Sequence, residues 1–157
     1  MNLAELPANQ VTAELQARLS ALQGPDDFPF TLASVERGRF YEDLSDDALL
    51  PLATVVPAAS AGVEGQQQQL SAQRQRQYQV EVVFDLAAYP GRAPDEVVSA
   101  IEWSVCRALG GPVRDRTLAG LALRLLVAQV EYGWPQKGYS AASVTLTVAA
   151  TYLDRYQ

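Results

Sequence analysis

Tyr78-Gln79-Val80-Glu81-Val82-Val83-Phe84-Asp85-Leu86 decides the fold. Its apolar side chains recur at every second position, the period of a strand that buries one face of a sheet and wets the other. Immediately upstream lies a glutamine-rich polar run, Gly65-Gln66-Gln67-Gln68-Gln69-Leu70-Ser71-Ala72-Gln73-Arg74-Gln75-Arg76-Gln77. Because it feeds straight into a strand, it reads as a long hairpin arm or loop and not as an interdomain linker. The arm has two readings: a flexible surface loop, or a segment that becomes ordered on a partner. Arg74 and Arg76 are its basic residues, suited to carboxylates of a neighbouring copy, with Gln66 and Gln68 beside them as candidate interface residues.

A second strand is equally plain. Val144, Leu146, Val148, Ala150 and Tyr152 alternate with Ser143, Thr145, Thr147, Ala149 and Thr151, giving one buried face and one small, polar face. Leu121 to Tyr132 is ambiguous. Leu121, Leu123, Leu125, Leu126 and Val127 are apolar on both faces, so a strand and a buried helix read alike. Extended pieces are expected around Phe30 to Glu36 and Leu52 to Pro57; Pro51 and Pro57, lacking the N–H of a central ladder, mark the limits of the second piece or an edge position.

Two helices complete the layout. Val11 to Gln23 carries Val11, Leu15, Leu19 and Leu22 on one stripe, with Glu14, Gln16 and Ser20 turned to water and Gly24-Pro25 as its stop. The second helix opens on Pro94-Asp95-Glu96, a fixed φ followed by acids at the positive dipole end, and runs to about Leu109 before Gly110-Gly111-Pro112. Val97, Val98, Ile101, Val105, Ala108 and Leu109 fall within an arc of about 120°. Trp103 projects from the opposite side, among Glu96, Ser99 and Arg107. An aromatic there lies either under a loop of its own subunit or against another subunit. Trp134, in the loop Gly133 to Gly138, has the same two readings.

Composition narrows the chemistry. A chain of 157 residues with 48 % apolar residues suits one domain spanning 1–157. Its net charge of −6 disfavours adhesion to nucleic acid or an anionic membrane. No stretch approaches ~18 uninterrupted apolar residues, and the N-terminus lacks a basic, then apolar, export pattern. There is no histidine, which removes the commonest general base and metal ligand, and a single cysteine, Cys106, cannot form an internal disulfide or build a zinc framework. Neither a phosphate-cradling Gly-rich loop nor a dinucleotide fingerprint occurs. Glu42, Asp43, Asp46 and Asp47 lack the alternation and central glycine of a calcium loop and read as a solvated acidic turn. No catalytic, cofactor-binding or metal-binding residue is therefore expected.

In order, the N-terminal helix, the segment Leu50-Pro51-Leu52-Ala53-Thr54-Val55-Val56-Pro57 and the arm with Arg74 and Arg76 lead into the alternating strand. The helix from Pro94, Gly120-Leu121-Ala122 and a terminal strand ending at Tyr152 follow. This layout resembles the tail terminator, or tail completion, proteins of long-tailed bacteriophages. The resemblance implies an α+β fold, a single mostly antiparallel sheet with two helices packed on it and a long polar hairpin arm. It further implies a hexameric ring that caps the tail tube, ends its polymerisation and joins it to the head. The partners implied are further copies of the chain, the tail tube protein (and a sheath, if the tail contracts) and a head-to-tail connector or neck protein. Such a ring resides at the tail–neck junction of the virion after assembly in the host cytoplasm, with genomic DNA passing through without sequence-specific binding. Six touching spheres of roughly 38 Å, the size expected for this length, leave a central hole of similar width. A different neck or head-to-tail joining subunit is the alternative, and a small ligand-binding or Asp/Glu-based enzyme domain the reading from another class.

Overall fold

The computed structural model describes residues 1–68, 71–110 and 117–156, with the side chains of 66–68 excluded. Helix α1 (Pro7–Ser20) precedes strands β1 (Ser34–Arg37), β2 (Leu52–Gln68) and β3 (Ser71–Asp85); helix α2 (Pro94–Gly110), β4 (Arg124–Gly133) and β5 (Ala141–Arg155) follow. The strands form one five-stranded sheet in the order β1-β2-β3-β5-β4. Only β1 and β2 pair in parallel; the other three pairings are antiparallel. This is an α+β fold with two helices on one sheet.

Pleating assigns the faces. Tyr78, Val80, Val82 and Phe84 of β3 lie opposite Val148, Leu146, Val144 and Ala142 of β5, and all are buried beneath the helices. The α1 stripe Val11, Leu15, Leu19 and Leu22 and the α2 residues Val97, Val98, Ile101, Val105 and Leu109 close the same core. One polar contact crosses it. The Thr12 and Tyr78 hydroxyls lie 3.0 Å apart, either able to donate to the other, and both reach Ala8 O, at 2.8 Å and 3.5 Å.

Several boundaries differ from those the sequence predicts. Helix α1 starts at Pro7, which needs no N–H in a first turn, and ends at Ser20 rather than Gln23. Gly24 does not serve as a left-handed stop: a Cβ there would come within 2.1 Å of Phe28 O, so close chain approach is what requires glycine. Gln16 is not turned freely to water, since its Nε2 donates to Val35 O at 3.0 Å and ties α1 to β1. Pro57 does not end the second extended piece. Strand β2 continues through it to Gln68, beside a register shift between Pro57 and Ala59, because β1 covers β2 only over Leu52–Val55 and leaves an edge where a missing N–H costs nothing.

The ambiguous Leu121 segment resolves into two parts. Leu118, Ala119 and Gly120 all have positive φ (51°, 57° and 86°), a left-handed turn that seats Leu118 in the core, and the edge strand β4 then begins at Arg124. Gly111 and Pro112, expected as the stop of the second helix, and Gln69 and Leu70 of the arm lie outside the described residues.

Candidate interface surfaces

The arm is sheet. Ser71–Gln77 pairs with β2 on one side and with β5 on the other, so the polar run forms a three-stranded wing and not a loop. Within it the sequence Ala72-Gln73-Arg74-Gln75-Arg76-Gln77 sorts by face. Arg74 and Arg76 stand opposite Tyr152 and Ala150, on the side that carries the helices lower down, while Gln73, Gln75, Gln77 and Gln79 line the other side. Arg74 Nε lies 3.9 Å from Asp154 Oδ2, and its Nη2 donates to the Tyr156 hydroxyl at 3.3 Å. The Arg76 guanidinium sits 5.7 Å from the Tyr78 ring centroid. Both arginines are thus pre-oriented by tyrosines and remain part-exposed. The backbone of Gln66 and Gln68 runs in β2; their side chains lie outside the description.

Trp103 emerges from the outward side of α2 and is 48 % exposed, with no loop of the described residues burying it. The Arg107 guanidinium, one turn on, lies 5.1 Å from its ring centroid. This contact shields one ring face at a modest energy, about 0.5–1 kcal/mol at an exposed site. Trp134, just beyond β4, is 52 % exposed. The six predicted residues therefore do not converge. Arg74 is level with Tyr152, whereas Trp134 follows Gly133, which is level with Ser143; nine steps along β5 separate the two by roughly 30 Å.

Strand β4 was not singled out by sequence, yet it carries Leu126 and Tyr132, 40 % and 47 % exposed, on opposite faces of a sheet edge. The trace in the sequence was the run apolar on both faces. A strand with bulky side chains to both sides and no strand beyond it leaves them uncovered. The Tyr132 hydroxyl donates to a Glu102 carboxylate oxygen, which pushes the phenol pKa up and anchors the edge to α2. Burial, with Glu102 nearby, pushes the Cys106 thiol up as well, away from thiolate character.

Two polar groups lie under the sheet's other face. Thr54 is buried, and its hydroxyl has no hydrogen-bond partner among the described residues. Its cross-strand neighbour Glu81 has its pKa raised from 4.5, first by desolvation and then by the charge of Glu42. Glu42, Asp43, Asp46 and Asp47 are all exposed, and among the described residues no group of three or more His, Cys, Asp or Glu is placed to hold a metal ion. Comparison with models of known protein families and with curated proteins finds no match.

Proposed function

We propose that this chain is a structural subunit of a long-tailed bacteriophage, the tail terminator that caps the tail tube as a hexameric ring. The observation that carries the reading is the division of one sheet into a helix-backed body and a polar wing that outruns the helices, in the layout the resemblance implies. A body of this kind holds its shape alone; the wing offers backbone edges, amides and two oriented arginines to other chains. Stacked on the last ring of the tube, the hexamer occupies the surface on which the next tube ring would add, and its opposite surface receives the neck. A net charge of −6 lets DNA slide through the channel without adhering.

Electron microscopy of the purified protein, alone and mixed with tail tubes, tests this. Six-fold rings with an open channel seated on tube ends are expected. Rings that bind an isolated head connector and never a tube would identify a neck subunit instead, and a monomer in every setting would refute the assembly reading.

A further inference from the structure

We propose that the segment between β1 and β2, residues 39–49, is a charge-sprung lid, closed over the outer face of the sheet when acid neutralises the carboxylates around it and lifted as they ionise. That face has a small buried patch of its own. Ala53 and Val55 point into the helix-backed core, so Leu52, Thr54 and Val56 face the other way, and across the ladder so do Glu81 and Val83 of β3. Both helices lie on the opposite side, yet Leu52, Thr54, Val56 and Val83 are all buried. The lid is what lies over this side. Leu44 and Ala48 line one cleft with Leu52, Ser34 and Glu36, and Glu42 stands close enough to Glu81 for its charge to act there. Since Thr54 pairs with Glu81 and lies two residues along from Leu52, the segment spans Thr54 as well.

The hold on this lid is light. Backbone hydrogen bonds secure only its two ends, Gly38 N to Val55 O at 2.9 Å and Ala33 N to Pro51 O at 2.7 Å. Among the described residues, every backbone hydrogen bond that residues 39–49 make stays within the segment. Gly38, with φ 75°, supplies a hinge where a side chain would be strained. Against that hold stands charge. Glu42, Asp43, Asp46 and Asp47 ride on the lid, and Glu36 of β1 and Glu81 of β3 lie beneath it. Arg39 is the one cation among them, since the Arg37 guanidinium turns to Asn9 Oδ1 at 3.5 Å on the helix side. Glu131 of β4, level with Thr145, and Asp85, lower on β3, add charge farther along the same face. Closure weighs most on Glu81, whose pKa is raised first by desolvation and then by Glu42, against the opposing hydrogen bond of Thr145. The closed form therefore holds the Glu81 proton more tightly than an open form that admits water, so closure is favoured near 4.5 and below and is lost as pH rises through the closed-state value. Thr54 pushes the same way: its buried hydroxyl has no partner among the described residues, and water satisfies it once the lid lifts.

The lid works within one subunit and does not depend on ring formation. In a Cys106→Ser background, Thr54→Cys, a nearly isosteric change, puts a thiol under the lid, with Leu52→Cys as a second probe there. Val80→Cys, in the helix-backed core, reports global unfolding. Reaction with a dithiodipyridine, which attacks thiols in acid as well as at neutrality, is followed at about pH 5 and about pH 7.5, each rate divided by that of an unfolded peptide thiol at the same pH. The Thr54→Cys and Leu52→Cys rates are expected to rise several-fold between the two conditions while the Val80→Cys rate stays low in both, the signature of local opening. Adding Glu42→Gln or Glu81→Gln should remove most of that rise. Equal protection under the lid at both pH values, a rise that Glu81→Gln leaves intact, or a rise shared by Val80→Cys would overturn the lid.

Discussion

Strand β3 is one continuous strand with two unlike halves. From Tyr78 to Phe84 every second side chain is buried under helices; from Ser71 to Gln77 the same ladder continues with glutamines on one face and arginines on the other. On the β5 side the backbone pairing is alike in both halves, while on the β2 side it shifts register between Pro57 and Ala59 and between Gly62 and Gln67, so the halves differ in side chains and in the regularity of one ladder. Burial of large apolar groups stabilises the lower half at about 1.5–3 kcal/mol per residue, while exposed polar pairs contribute little beyond their hydrogen bonds. One strand thus holds a part that folds the subunit and a part left available to other chains.

Substitutions should separate these roles, and the largest effect belongs to the body. Phe84→Ala, at a fully buried position, is expected to cost about 3–5 kcal/mol and to lower the melting temperature sharply. Next comes Trp103→Ala, expected to weaken association by ~2 kcal/mol while shifting subunit stability by less than about 0.5 kcal/mol. Calorimetry beside sedimentation reads both quantities; a large loss of stability with unchanged assembly would place Trp103 in the subunit core. Tyr78→Phe removes the hydroxyl bonded to Thr12 and should cost about 1 kcal/mol in denaturant unfolding.

In the wing, Arg74→Ala breaks a 3.9 Å contact to Asp154 and should change unfolding by less than about 0.5 kcal/mol. The last effect is on pH dependence. Because the folded state raises the Glu81 pKa, it binds the proton more tightly than the unfolded chain; this contribution stabilises at low pH and is lost as pH rises from 4.5 through the folded value. Glu81→Gln should raise the melting temperature at neutral pH and flatten its dependence across that window. A variant less stable than the parent at pH 7 would contradict the sign.

Local periodicity made the body legible. The apolar alternation of β3 and β5, the stripes of both helices and the outward position of Trp103 all follow from residues within one element. The features that were not legible depend on distant partners. Nothing near Val35 announces that it will pair in parallel with Ala53 or hold Gln16, and nothing near Pro57 shows that β1 ends level with Val55, two residues before it. The wing had a local signal that polarity concealed: Gln73-Arg74-Gln75-Arg76-Gln77 alternates at the strand period, with amides and guanidiniums where apolar residues would draw the eye. The exposed edge of β4 left a similar trace, readable only once the strand beyond it is known to be missing.

Residue-resolved amide hydrogen exchange on the isolated subunit and on the assembled particle tests the division of β3 most directly. Amides from Tyr78 to Phe84 should exchange only through global unfolding in both samples, whereas those from Ser71 to Arg76 should exchange orders of magnitude faster in the free subunit and become protected on assembly. Uniform protection along all of β3 in the free subunit, unchanged by assembly, would contradict the account.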